Sequence, residues 1–86
     1  MRLKDKVAII SGAASGMGAS TARLFAKEGA KVVVADLMEA EGAKVVSDIN
    51  DAGGEARFQS LNVTSETDWE ATVSETITAY GQVDIL

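Results

Sequence analysis

Val7-Ala8-Ile9-Ile10-Ser11-Gly12-Ala13-Ala14-Ser15-Gly16-Met17-Gly18 is the stretch that decides how this chain is read. Val7 to Ile10 form an unbroken apolar run, as suits a parallel strand covered on both faces. The run feeds three glycines, separated by three residues and then by one. A buried strand that turns at once into a helix needs backbone freedom there. A bound phosphate would need close access to main-chain N–H groups, which side chains would block. Gly12 and Gly16 fit these two demands. Gly18, in the first helical turn, would let the helix pack tightly on the sheet. The helix N-terminus adds unpaired donors and about half a positive charge, so an anion site forms without a lysine. Taken alone, the motif is equally a plain strand–helix turn. No Gly-Lys-Ser/Thr follows, which disfavours a nucleoside triphosphatase.

Outward from this stretch the pattern alternates. Met17 to Glu28 reads as a helix with Ala22, Phe25 and Ala26 on one face and Gly29 placed to stop it. Lys31 to Asp36 reads as a second strand. Met38 to Asp51 reads as a helix with Val45, Val46 and Ile49 inward, ended by Gly53-Gly54, although Gly42 inside it counts against helix formation. Ala56 to Leu61 reads as a third strand. Ser65-x-x-Asp68 resembles a capping box, and the helix it opens is expected to carry Trp69, Val73, Ile77 and Tyr80 on one stripe, ending at Gly81. Val83-Asp84-Ile85-Leu86 begins a fourth strand. The expected fold class is α/β: the first β-α-β-α-β-α-β portion of a Rossmann-type, doubly wound parallel sheet in the order 3-2-1-4. The fourth strand would leave a bare apolar edge. Residues 1–86 are therefore expected to be the N-terminal part of one dinucleotide-binding domain, within a longer chain.

Composition narrows the chemistry. The 86 residues include no cysteine and no histidine, so disulfides, thiolate nucleophiles, imidazole bases and Cys/His metal sites are excluded within them. The net charge of −5 argues against nucleic acid or an anionic membrane as partner. The N-terminus is charged, and its apolar run of four residues is too short for a signal-peptide core or a membrane span. A cytoplasmic location fits.

Asp36 is the second clue. It ends the second strand, 24 residues after Gly12, where Rossmann logic expects an acid about 20 residues on, reaching the adenosine ribose hydroxyls. Its charge would repel a 2′-phosphate, and Leu37-Met38-Glu39 follow it with no nearby cation, which favours NAD over NADP. The competing role for Asp36 is to cap the second helix.

Together these features resemble a known family. Ser11-Gly12-Ala13-Ala14-Ser15-Gly16-Met17-Gly18 is similar to the Thr-Gly-x-x-x-Gly-x-Gly motif of the short-chain dehydrogenases/reductases, with Ser for Thr and Met where Ile is usual. Asn62-Val63-Thr64 and Gly81-Gln82-Val83-Asp84-Ile85-Leu86 extend the similarity over the whole chain. The resemblance implies that Gly12, Ser15, Gly16, Met17 and Gly18 meet the pyrophosphate and nearby cofactor. Asp36 and Leu37 would hold the adenosine ribose, and Asn62 and Val63 would border the adenine. Asn62 stands where the family usually has Asp. Its amide oxygen could still meet the adenine amino group, and its competing role is to bond its own loop. Asp84 resembles a position that supports the cofactor loop.

The resemblance further implies hydride transfer between NAD and a secondary alcohol or ketone, and a homo-oligomer, tetramer or dimer, in the intact enzyme. The family's catalytic Ser and Tyr-x-x-x-Lys pair have no counterpart in residues 1–86: four residues after Tyr80 comes Asp84. Tyr80 and Trp69 read as core packing. The alternatives are an S-adenosylmethionine-dependent methyltransferase, which shares the Gly-rich turn and the acid, and a non-catalytic dinucleotide-binding module.

Overall fold

The computed structural model describes residues 3–85. Strands and helices alternate as β1 (Val7–Ser11), α1 (Gly16–Lys27), β2 (Lys31–Asp36), α2 (Glu39–Asp51), β3 (Glu55–Ser60) and α3 (Glu66–Tyr80). The three helices and the first three strands form as expected, with ends displaced by a residue or so, while the expected fourth strand is present only as a single bridge at Ile85. All strand pairings are parallel. β1 lies against β2 from Val7↔Lys31 to Ser11↔Ala35, and β3 lies on the other side of β2 from Lys31↔Glu55 to Asp36↔Ser60. This register brings the carboxyl ends of all three strands to one edge of the sheet.

Past α3 the chain returns to the free side of β1. Ile85 bridges Ala8 in parallel, and the Ile9 N–H donates to the Ile85 carbonyl at 2.9 Å. The order 3-2-1-4 therefore holds as far as Ile85, while Leu86 lies outside the described residues. Asp84 Oδ2 accepts the Val7 N–H at 2.9 Å. This corrects the role the resemblance suggested for Asp84. Its carboxylate secures the amino end of β1, whereas the glycine turn leaves the carboxyl end.

Strand alternation distributes the core onto two faces. Val32 and Val34 pack with Ala19, Ala22, Val45 and Ile49 beneath α1 and α2. Ile9, Val33 and Ala35 pack with Leu61 against Trp69, Val73 and Tyr80 of α3. Helices on both faces explain why the strands read as continuous apolar runs. Gly42, unfavourable in a helix, has a packing reason: a Cβ there would overlap the Phe58 ring.

The buried stripe of α3 differs from the expected one. Ile77 is 48% exposed, while Thr72 and Thr76 are the buried residues of the helix. At about 100° per residue, Ile77 lies about 80° round from Trp69, whereas Thr72, Val73, Thr76 and Tyr80 stay within about 60°. Threonine is admitted to the core because its hydroxyl bonds back one turn. Thr72 Oγ1 donates to the Asp68 carbonyl at 2.8 Å and Thr76 Oγ1 to the Thr72 carbonyl at 2.7 Å, leaving methyl groups to meet the sheet. At the end of α3, the Lys31 ammonium lies 5.6 Å from the centre of the Tyr80 ring. Burial, and then the Glu55 carboxylate, raise the Tyr80 phenol above its ordinary value of 10.0, with Arg57 acting the other way.

This packing has measurable consequences. Ile9→Ala should destabilise the full chain by about 2–5 kcal/mol, while Thr76→Val should change stability by less than about 1 kcal/mol, as measured by urea unfolding. The raised phenol pKa means that the fold favours neutral Tyr80. The stability it contributes is present below the unfolded-state value and is lost as pH rises through the folded-state value. Thermal unfolding between about pH 8 and 11 should therefore show a shallower alkaline decline for Tyr80→Phe than for the parent.

Candidate functional site

Three strand-to-helix turns meet at the carboxyl edge of the sheet, and the first carries the glycines. Gly12 and Gly16 adopt φ of +64° and +58°, the left-handed region that side chains disfavour. A Cβ built on either would meet no protein atom within 4 Å, so their bare faces front open space. Gly18 is constrained from the inside: a Cβ there would overlap the Gly12 carbonyl. The tight packing expected of Gly18 is thus against the turn itself, because α1 begins directly over that turn.

The turn is also tied down laterally. Ala13 and Ala14 are buried. The Ala13 N–H donates to the Ala35 carbonyl at 3.4 Å, and the Ala14 N–H donates to Asp36 Oδ2 at 3.1 Å. Sequence reasoning singles out neither alanine for this role; the available signal was that only the smallest side chains separate Gly12 from Ser15. Ser15 is the N-cap of α1, with an extended backbone (φ −153°, ψ 165°) and no side-chain capping bond. Its exposed hydroxyl stands beside the N–H groups of Gly16, Met17 and Gly18, which helix geometry leaves without intrahelical acceptors. No acidic residue occupies the first turn of α1, so nothing there competes with an incoming anion.

Asp36 closes β2, half-buried. Besides the Ala14 bond, its Oδ1 accepts the Met38 N–H at 3.0 Å. Met38 is the N-cap of α2, and no side chain caps that helix; the Asp36 bond closes the turn before α2, and the capping role weighed from the sequence is not realised. A carboxylate has about four acceptor sites, so further donors can still bind it. In the third turn, Asn62 Oδ1 accepts both the Thr64 N–H at 3.0 Å and the Thr64 hydroxyl at 2.7 Å. The oxygen expected to face an adenine amino group is therefore engaged in its own loop, and the side-chain N–H₂ is the group left to offer. The Val63 carbonyl accepts the Trp69 indole N–H at 3.0 Å. Met17 is 87%, Leu37 61%, Met38 45% and Val63 56% exposed, so each of the three turns presents apolar surface.

These residues fit a dinucleotide. Main-chain donors at bare glycines suit a diphosphate, a carboxylate on the adjacent strand suits a vicinal diol, and exposed apolar groups suit a flat base. The sequence matches the short chain dehydrogenase profile over residues 6–86. The chain belongs to the short-chain dehydrogenase family. It is 46% identical over 85 residues to 2,5-dichloro-2,5-cyclohexadiene-1,4-diol dehydrogenase of Sphingobium indicum, covering 99% of this chain and 34% of that protein. It is 45% identical over 85 residues to 3-alpha-(or 20-beta)-hydroxysteroid dehydrogenase of Mycobacterium tuberculosis, covering 99% and 32%. The chain thus spans about a third of the length of these short-chain dehydrogenase relatives. Among solved structures, a hydroxysteroid dehydrogenase from Escherichia coli superposes with TM-score 0.96 at 41% identity, covering 99% of this chain and 36% of that one. A metagenomic short-chain oxidoreductase in complex with NADP gives TM-score 0.93 at 30% identity, covering 100% and 39%.

The family assignment gives the methyltransferase alternative no support. Among the described residues, no helix is long and apolar enough to cross a membrane.

Gly18→Ala should force α1 off the glycine turn. The expected result in the full chain is a loss of about 1–3 kcal/mol of stability, together with weaker dinucleotide binding. Calorimetric unfolding and a binding titration on the same variant check both effects.

Proposed function

We propose that residues 1–86 form the adenosine and diphosphate half of the coenzyme site of an NAD-dependent alcohol dehydrogenase or ketone reductase. The observation that carries this reading is the joining of the glycine turn to Asp36 across adjacent strands, at 3.1 Å. On this reading it brings anion donors beside a carboxylate that would bind a vicinal diol. In this reading Gly12, Ser15, Gly16, Met17 and Gly18 receive the diphosphate, Asp36 and Leu37 hold the adenosine ribose, and Asn62 and Val63 border the adenine. Asn62 would donate through its amide nitrogen to a ring nitrogen, because its oxygen is held by Thr64.

Nicotinamide dinucleotide supplies the hydride chemistry when bound; these residues bind and orient its adenosine end. The family's Ser and Tyr-x-x-x-Lys set has no counterpart in residues 1–86, and the proposal assigns these residues coenzyme binding alone. The substrate class is a secondary alcohol or its ketone, in keeping with the diol and hydroxysteroid dehydrogenases to which the chain is similar. The proposed location is the cytoplasm, and the proposed assembly is a dimer or tetramer of identical chains, as the family resemblance implies.

Preference for NAD over NADP rests on charge. The Asp36 carboxylate would lie against the ribose 2′ position, where a phosphate would meet it as a like charge. The neighbour in complex with NADP marks the outcome to be distinguished. In the full chain, Asp36→Ala should weaken NAD binding about tenfold and narrow the preference for NAD over NADP. Isothermal titration with both dinucleotides tests this, and unchanged affinities for both would refute the ribose assignment.

A further inference from the structure

We infer that Asp36 is also a positioning residue for the diphosphate turn: its carboxylate is the clasp that holds the glycine turn in its anion-receiving shape. This inference deepens the dinucleotide reading and rests on it. Asp36 Oδ2 accepts the Ala14 N–H at 3.1 Å and Oδ1 accepts the Met38 N–H at 3.0 Å. One carboxylate therefore spans the turn after β1 and the turn after β2. Ala14 is two residues before Gly16, within the loop whose left-handed residues, Gly12 and Gly16, sample many other conformations when untethered. The other tether between this loop and β2 is the longer Ala13-to-Ala35 bond at 3.4 Å. Ser15 gives α1 no side-chain cap, so its side chain does not fix the entry to the helix. A hydrogen bond from a main-chain N–H to a carboxylate is among the stronger tethers available.

The clasp and the bare charge of Asp36 act in opposite senses on a diphosphate. As a negative charge beside the site, Asp36 repels it. As a clasp, Asp36 keeps the donors of Gly16, Met17 and Gly18 aligned, so that binding does not have to order the loop. The clasp is the larger effect if removing the carboxylate weakens a diphosphate ligand that has no ribose hydroxyls for Asp36 to bind.

The test uses the full chain with two probes, ADP and 2′,3′-dideoxy-ADP, titrated against the parent, Asp36→Ala and the nearly isosteric Asp36→Asn. Asparagine keeps one acceptor oxygen and can hold only one of the two N–H groups. Hydrogen exchange at the Ala14 amide of each ligand-free protein is the second readout. The expected result is that dideoxy-ADP binds Asp36→Ala about tenfold more weakly than the parent, binds Asp36→Asn with a smaller loss, and that Ala14 exchanges faster in Asp36→Ala. If Asp36→Ala does not fold, Asp36→Leu, which is close in size and has no acceptor, carries the test by the same sign of change. If dideoxy-ADP binds the variants as well as or better than the parent while ADP is weakened, the clasp is refuted and the ribose role stands. If the parent binds neither probe, the dinucleotide reading itself fails.

Discussion

Every strand of this sheet runs in the same direction, and this constraint organises the rest of the molecule. Parallel neighbours cannot be joined by tight hairpins, so each connection is a helix that must cross back over a face. Every strand therefore ends at the same edge, and every helix starts there. That edge gathers what the interior cannot accept: unsatisfied N–H groups, the left-handed Gly12 and Gly16, and the carboxylate of Asp36. The opposite edge has the helix ends and the tie from Asp84 to Val7. The polar demands of the fold and the chemistry of the site thus share one origin.

A carboxylate beside the proposed diphosphate site looks contradictory until its partners are counted. Asp36 faces two main-chain N–H groups, and the start of α1 contributes a positive potential of its own. A ribose between diphosphate and carboxylate would separate the like charges by the width of the sugar, and its hydroxyls would take up the carboxylate's remaining acceptor sites. A phosphate on the 2′ oxygen would have neither separation nor a donor to offer. Discrimination of this kind comes from building repulsion against the wrong ligand as well as attraction for the right one.

Much of this was legible in the sequence, for identifiable reasons. The continuous apolar runs at Val7–Ile10 and Val32–Ala35 announce strands buried on both faces. The 24-residue interval from Gly12 to Asp36 runs from the end of one strand, through one helix, to the end of the next strand, which is why the spacing suggested that they are neighbours. What escaped were side-chain bonds to the main chain. Thr72 and Thr76 read as polar, yet they form the buried centre of α3 because each hydroxyl is satisfied within its own helix. For Asn62 the sequence left two roles open, accepting from the base or bonding its own loop, and did not show that Thr64 takes its oxygen. Asp84 reads as support for the cofactor turn, yet it holds the far end of the strand. In each case the residue's chemistry was visible and its partner was not, since the partner is set by backbone geometry that pattern and periodicity do not encode.

The same distinction explains why the glycine turn cannot be understood from its glycines alone. Glycine permits an unusual conformation but does not select it, because its freedom is equally available to the unfolded loop. Selection has to come from contacts made by the other residues. In this chain those contacts come from the two alanines, which are small enough to be buried under the turn and whose N–H groups reach the end of β2. The motif is therefore better regarded as a joint between two strands than as a loop on one of them. On the proposed reading, its anion-receiving shape depends on the residue that ends the second strand, and the acid that would select the coenzyme is part of the structure that would receive it.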